Sequence, residues 1–459
     1  MVVNTKVAMS ATSMRRSRIT AAFQDFAKRG VLSGILLMIA TAVALVWANS
    51  PWAESYVHLW EIQLSAGPAA RPITASVHHW VNDGLMTVFF LLVGLEIKRE
   101  LLVGELSSVR QATLPIVAAI GGMVVPALFY SLVNFGGDGA RGWGIPMATD
   151  IAFALGVLTL LGPRVPISLK VFLTALAIVD DMGAVVVIAL FYTSAIQWTA
   201  LALGGAVIAG LVALNRLRVK SLTPYLLLGA ALWLALLSSG IHATLAGVIL
   251  AMAVPSRTRI NALEFSTEAR AILDDFDRAE TGDLLVLTSK GQQAALYALE
   301  VAGTGVQAPL IRLEHALHGV VGFVIMPLFA LANAGVVLTG ISGALTDRVT
   351  LGVIIGLLLG KPAGVMLFSW LGVRFRIADL PAGATWSGVH GVAWLAGIGF
   401  TMSLFVGSLA FGEGPMLVSA KVGILAASIV AGVIGWRLLA RTRATGAADA
   451  AATADANAA

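Results

Sequence analysis

Asp180 and Asp181 stand side by side in ALAIVDDMGA, midway along a run from Val171 to Tyr192 that is otherwise almost wholly apolar. At about 1.5 Å per residue such a run crosses a hydrocarbon core about 30 Å thick, and the pair falls near its midplane. An ionised carboxylate at that depth costs at least ~2.5–3.5 kcal/mol, so two in succession require water, a counter-charge or protons. Other groups at similar depth offer that compensation. Asp150 lies mid-span in GWGIPMATDIAFALGVLTLLG beside Thr149, and Lys361 lies mid-span in LGVIIGLLLGKPAGVMLFSWLG. Lys421 stands near the end of its span, where its ammonium can reach the interface, and is read as structural. Three carboxylates and one ammonium thus converge on one plane.

Carboxylate, hydroxyl and carbonyl oxygens suit a small hard cation. Neighbouring acids in a low dielectric also titrate as a coupled pair that shares protons. Successive helical residues diverge by about 100°, so one Asp faces the ion path and the other faces Lys361. A site that holds a cation or protons in turn is an exchanger in outline.

Two segments near this plane look unlike continuous helix. GIPMATD (144–150) contains Pro146, and GIGFTMS (397–403) places Gly397 and Gly399 ahead of Thr401 in mid-span. Irregular backbone at membrane depth is tolerated only where it is packed in protein or lines a wet cavity. Half-helices would leave positive N-terminal and negative C-terminal ends there, the first suited to Asp150 and the second to Lys361.

The elements that must position these groups follow from composition. The chain has 459 residues, 58% hydrophobic and 12% charged, against roughly 45–50% and 25% in soluble domains. It reads as an all-α polytopic membrane protein with twelve spans, at 31–49, 84–104, 113–134, 146–161, 171–192, 199–214, 223–237, 241–254, 319–339, 350–371, 388–409 and 418–436. With the N-terminus inside, 25 of the 30 Lys and Arg are cytoplasmic, Arg71, Arg141 and Arg348 are outside, and Lys361 and Lys421 are within spans. That asymmetry places both termini in the cytoplasm. The net charge of +5 is thus a matter of topology and not of nucleic-acid binding. The first span follows a basic cluster without a small-residue cleavage site and should be retained. The absence of cysteine excludes disulfides and thiolate metal sites.

Outside the spans, Ile19, Ala22, Phe23 and Phe26 suggest an interfacial helix within the cytoplasmic segment 1–30. EIQLS and RPITASV, within 61–77, suggest an external hairpin whose edge would pair with a second copy, giving a homodimer through residues 61–74. Residues 255–318 read as a polar cytoplasmic insertion loop, partly helical, between spans 31–254 and 319–437. The tail within 438–459 is low-complexity from Ala444 and reads as disordered.

NDGLMTVFFLLVGLEIKREL (82–101), GIPMATDIAFALGVLTLLG (144–162), ALAIVDDMGA (175–184), SGIHATLAGVI (239–249), RLEHALH (312–318), GKPAG (360–364) and GIGFTMSLF (397–405) together resemble the signatures of NhaA-type sodium/proton antiporters. The resemblance implies inverted repeats of spans three to five and ten to twelve, with spans four and eleven discontinuous and crossing. It implies that Asp181 is the main ligand of transported Na⁺ or Li⁺ and that Asp180 is a coupled acid paired with Lys361. Asp150 and Thr149 become electrostatic and polar support. Glu96, Glu100, Glu314, His315 and His318 match positions of a pH response at a cytoplasmic funnel, and His242 is a further sensing candidate. The chain departs from the pattern at Ile311, where a basic residue often precedes Arg312, and in the length of the insertion 256–310.

The expected activity is electrogenic, pH-regulated export of Na⁺ and Li⁺ against protons, two protons entering per Na⁺, without a cofactor, in a bacterial inner membrane. His315 and His318, at i and i+3 with no further ligands in sequence, are poor candidates for a bound metal. The rivals are a proton-coupled carrier of a small organic solute, a passive channel, and an intramembrane aspartyl protease. The carrier lacks an aromatic cage or intramembrane Arg near the Asp pair, and the protease would need Asp150 to complete a dyad.

Overall fold

The computed structural model describes residues 32–66, 73–193, 196–279, 289–337 and 341–441. The helix expected near residues 19–26 and the tail from Ala444 lie outside them. Apolar runs become helices because hydrocarbon offers no partner for backbone N–H and C=O groups. In chain order these are α1 (Leu32–Ala48) and α2 (Ala53–Glu61), then α3 (Met86–Val103), α4 (Val109–Val133), α5 (Ile151–Leu160) and α6 (Ile167–Phe191). There follow α7 (Trp198–Arg216), α8 (Thr223–Leu237), α9 (Leu245–Ala253), α10 (Ala262–Arg278), α11 (Lys290–Val306) and α12 (Pro309–Asn333). The last are α13 (Ile341–Thr346), α14 (Arg348–Arg374), α15 (Trp386–Ala396), α16 (Phe400–Phe411) and α17 (Pro415–Arg441).

By length and apolarity, six helices among the described residues can cross a membrane, or nine spans if each of three bent pairs counts once. The remaining windows read from the sequence are α3, which carries Glu96, Lys98, Arg99 and Glu100, and the short α8 and α9. The bent pairs are α1 with α2 at 114°, the 3₁₀ segment Asp138–Met147 with α5 at 42°, and α15 with α16 at 43°.

The start of span nine differs from the sequence reading. Span nine was expected from residue 319, but α12 begins at Pro309, because Leu310 and Leu313 are buried and hold its first turns in a core. Glu314, His315 and His318 therefore stand on helix and not in a loop. The polar stretch before it is largely two helices, α10 and α11, packed on each other. Asn261 caps the first by accepting the Glu264 N–H at 2.8 Å, and Ser289 caps the second by accepting the Gln292 N–H. Between α2 and α3, β1 (Gln63–Ala66) pairs antiparallel with β2 (Ile73–Ser76), Gln63 opposite Ser76 and Ala66 opposite Ile73. Residues 67–72 lie outside the described residues.

The described residues form two compact units. One holds residues 87–99 and 196–319, and its core joins α3, α7, α8, α9 and α12 through Leu91, Leu95, Leu211, Leu232, Leu250 and Leu313. The other holds the residues up to 86, from 100 to 193 and from 320 onward. In it a pattern of long helix, broken helix, long helix occurs twice: α4, the 138–160 pair and α6, then α14, the α15 and α16 pair, and α17.

Helices α4 and α14 approach closely because glycine faces glycine. A Cβ added to Gly121 would strike the Gly364 carbonyl oxygen, and one added to Gly364 would strike that of Gly121. Gly205 on α7 has no atom near its would-be Cβ. Alanine therefore has opposite effects at the two sites. Gly205→Ala should stabilise by up to about 1 kcal/mol through helix propensity, whereas Gly121→Ala should destabilise by about 1–3 kcal/mol through overpacking. Thermal melts of the purified protein in detergent check both signs.

Candidate functional site

The helix ending at Met147 gives way to extended backbone at Ala148 and Asp150 before α5 restarts at Ile151. Likewise α15 ends at Ala396 and α16 begins at Phe400, leaving Gly397 to Gly399 between them. The two interruptions bond to each other. The Asp150 N–H donates to the Ile398 carbonyl at 2.7 Å, and the Ser403 hydroxyl donates to the Ile145 carbonyl at 2.8 Å. Small residues are required at this meeting: a Cβ on Gly397 would lie 2.7 Å from the Leu357 carbonyl oxygen, and one on Gly399 would collide with Ser403 Oγ.

Asp150 serves both restarting helices. Its Oδ1 accepts the Phe153 N–H of α5 at 2.9 Å, while Oδ2 accepts the Thr401 N–H and hydroxyl of α16 at 3.1 and 2.5 Å. A carboxylate thus sits at two positive helix ends. Lys361 sits at a negative one, donating from Nζ to the carbonyl of Met147, the last residue of the 3₁₀ segment. The same ammonium donates to Asp180 Oδ2 at 2.7 Å, a charge-assisted bond between fully buried groups.

Asp180 Oδ2 also lies 2.7 Å from the Thr149 hydroxyl, which is 2.9 Å from the Ala396 carbonyl oxygen as well. Asp180 Oδ1 is buried with no hydrogen-bond partner. Asp181, next along α6, is 1% exposed and points about 100° away around the helix axis. The structure therefore brings Asp150, Thr149, Asp180, Lys361 and Thr401 into one bonded network, with Asp181 adjoining it. Ser403 and the carbonyls of Met147 and Ile398 belong to it too. Sequence reading passed over them, since a main-chain carbonyl has no residue signature; Ser403, polar in an apolar window, was the one available signal.

The residues matched to pH response divide. In the other unit, the ligand atoms of Glu96, Glu314 and His318 lie within 4.8 Å of one another. His318 Nε2 is 3.3 Å from Glu96 Oε1 and 3.7 Å from Glu314 Oε1, which is 3.1 Å from Arg99 Nε. His315 is exposed on α12, and His242 lies in the turn before α9, outside the trio. Glu100 accepts the Glu105 N–H at 3.0 Å, closing the end of α3.

Comparison with known proteins identifies the family of the chain. The model of the family described as Na⁺/H⁺ antiporter 1 matches residues 24–439. A protein of Koribacter versatilis (strain Ellin345) named Na(+)/H(+) antiporter NhaA is 51% identical over 427 residues, covering 92% of each chain. One of the same name from Oleidesulfovibrio alaskensis is 51% identical over 423 residues, covering 92% of this chain and 94% of its own. Na(+)/H(+) antiporter NhaA 2 of Syntrophotalea carbinolica is 50% identical over 425 residues, covering 92% and 97%. With two bonded helix breaks around buried acids and a match along nearly the whole chain, this protein belongs to the Na⁺/H⁺ antiporter 1 family.

Proposed function

We propose that this protein exports Na⁺, and the smaller Li⁺, across a bacterial inner membrane in exchange for protons. The observation that carries the reading is the charge balance of the buried network. Asp150, Asp180 and Asp181 are each at most 1% exposed, and among the described residues the fully buried ammonium is Lys361, bonded to Asp180. Asp150 is offset by two helix N-termini and Asp180 by Lys361 when ionised. The full set of carboxylates is therefore electrically satisfied by one further monovalent cation or by protons. Occupation by one disfavours the other, which is the condition for obligate exchange.

Asp181 is the main cation ligand in this reading. Asp180, held by Lys361 and Thr149, is the coupled acid, and Asp150 with Thr149 holds the breaks in register. Two protons entering per Na⁺ leaving would move one net charge inward, to which the membrane potential adds about 2.3 kcal/mol per 100 mV. The architecture is twelve spans with both termini cytoplasmic, inverted repeats α4 to α6 and α14 to α17, and broken helices that cross. The Glu96, Glu314 and His318 trio adjusts activity to pH, serving sodium and pH homeostasis. The β1–β2 hairpin joins two copies through an open strand edge. An aspartyl dyad is disfavoured because both Asp150 oxygens already accept bonds from α5 and α16.

In everted vesicles with a respiration-generated pH gradient, Na⁺ or Li⁺ should collapse the gradient and K⁺ should not, between about pH 6.5 and about 8.5. Asp181→Asn should abolish the response while leaving the melting temperature near wild type. Asp150→Asn should instead lower stability by about 1–3 kcal/mol, because one acceptor becomes an NH₂ group facing the α16 donors. A Na⁺ response surviving in Asp181→Asn would overturn the assignment, and no response in wild type would return the solute carrier. Deleting residues 61–74 should convert the dimer to monomer on light scattering in detergent.

A further inference from the structure

Among the described residues, one group of metal-ligating side chains converges outside the Asp network: Glu96 on α3 with Glu314 and His318 on α12. We propose that this trio is a binding site for a divalent transition cation, best represented by Zn²⁺. The inference uses none of the residues of the Asp network, and concerns the same trio that the proposed function gives a pH role.

Donor spacing is the first argument. Ligands about 2.0–2.1 Å from a tetrahedral Zn²⁺ lie about 3.3–3.4 Å from one another. His318 Nε2 is 3.3 Å from Glu96 Oε1 and 3.7 Å from Glu314 Oε1, and all three ligand atoms fall within 4.8 Å. Only small side-chain shifts separate this arrangement from three corners of a tetrahedron. Its two helices share one core through Leu91, Leu95, Leu310 and Leu313, so the donors are held by packed elements. Glu314 and His318 are one helical turn apart on the same face of α12.

The second argument is an orphaned atom. Glu314 is 5% exposed, and its Oε2 is buried with no hydrogen-bond partner, a costly state for a carboxylate oxygen. Its Oε1 faces Arg99 Nε at 3.1 Å. A cation held by both oxygens of this carboxylate satisfies the orphaned Oε2 while Oε1, the atom 3.7 Å from His318 Nε2, stays beside Arg99 Nε. The His318 side chain is 37% exposed, which gives an entry path and room for water as a fourth ligand.

Donor type sets the ion. One imidazole nitrogen with two carboxylates favours Zn²⁺ or a neighbouring first-row metal over Na⁺, Mg²⁺ or Ca²⁺, which take oxygen ligands. Binding ties α3 to α12 and stabilises the folded chain by mass action.

The test titrates ZnCl₂ by calorimetry into the full-length protein, purified in detergent without a histidine tag. The expected result is one equivalent bound, weakened at least about tenfold in His318→Gln and in Glu96→Gln, and retained in Asp181→Asn. A zinc-edge absorption spectrum of the wild type should show nitrogen and oxygen at about 2.0–2.1 Å with a single imidazole. This needs no variant to fold. No saturable binding to wild type, two or more imidazoles in the spectrum, or affinity unchanged in both trio variants would each overturn the proposal, as would binding lost in Asp181→Asn.

Discussion

Backbone that leaves the helix inside a hydrocarbon layer has to find its hydrogen bonds within the protein. In this chain the two interruptions find them in each other. The Asp150 N–H reaches the Ile398 carbonyl, Ser403 reaches Ile145, and the Asp150 carboxylate receives an N–H from the first turn of both α5 and α16. Neither break is self-sufficient, so each specifies the position of the other. The buried negative charge of Asp150 is tolerated for the same reason, because it lies at two positive helix ends and its oxygens are fully engaged.

Helix packing extends that constraint to the cation. Lys361 follows a π-helical turn, Gly356–Gly360, and precedes Pro362, so its backbone lies on a widened and partly unbonded stretch. Gly356 lies against the Pro146 ring and the Pro126 carbonyl, Gly360 against Pro126 of α4, and Gly364 against Gly121. A Cβ on Gly122 would be 3.6 Å from Lys361 Cε and closer still to Val365. Glycine on α4 thus leaves space for the lysine stem. The ammonium then bridges a helix C-terminal carbonyl and Asp180, joining both repeats of the long, broken, long pattern.

Much of this arrangement was readable from residue types. Ionisable residues in apolar windows stand out because hydrocarbon makes them expensive, and Asp150, Asp180, Asp181 and Lys361 were found that way. Pro146, Gly397 and Gly399 disclosed the interruptions through their effect on the main chain, and the alternation in EIQLS disclosed a strand. The unread parts share a different character. That Asp150 bonds to Ile398 is a main-chain event with no residue preference. Residues 309–318 read from the sequence as part of a partly helical insertion and not as the head of a span, because the burial of Leu310 and Leu313 depends on α3, α7 and α9 being present. His318 looked isolated for the same reason, since its nearest carboxylates include Glu96, far away in sequence. Pattern reading detects what a residue costs or forbids locally, and long-range partnership has no such local mark.

The Thr149 hydroxyl shows how the network can register its own charge state. Its oxygen is within hydrogen-bond distance of both Asp180 Oδ2 and the Ala396 carbonyl oxygen, yet it has one proton to donate. An ionised Asp180 accepts only, and a bond to it is the stronger of the two. A proton on Asp180 Oδ2 makes that atom a donor, which Thr149 can accept while its own proton turns to Ala396. Ala396 is the last residue of α15, so its carbonyl is one of the helix-end acceptors left without an intrahelical partner. Protonation of Asp180 and satisfaction of the α15 end are thereby linked through one hydroxyl. Valine at position 149 would keep the shape of the side chain and remove both bonds, separating the charge of Asp180 from the geometry of the break.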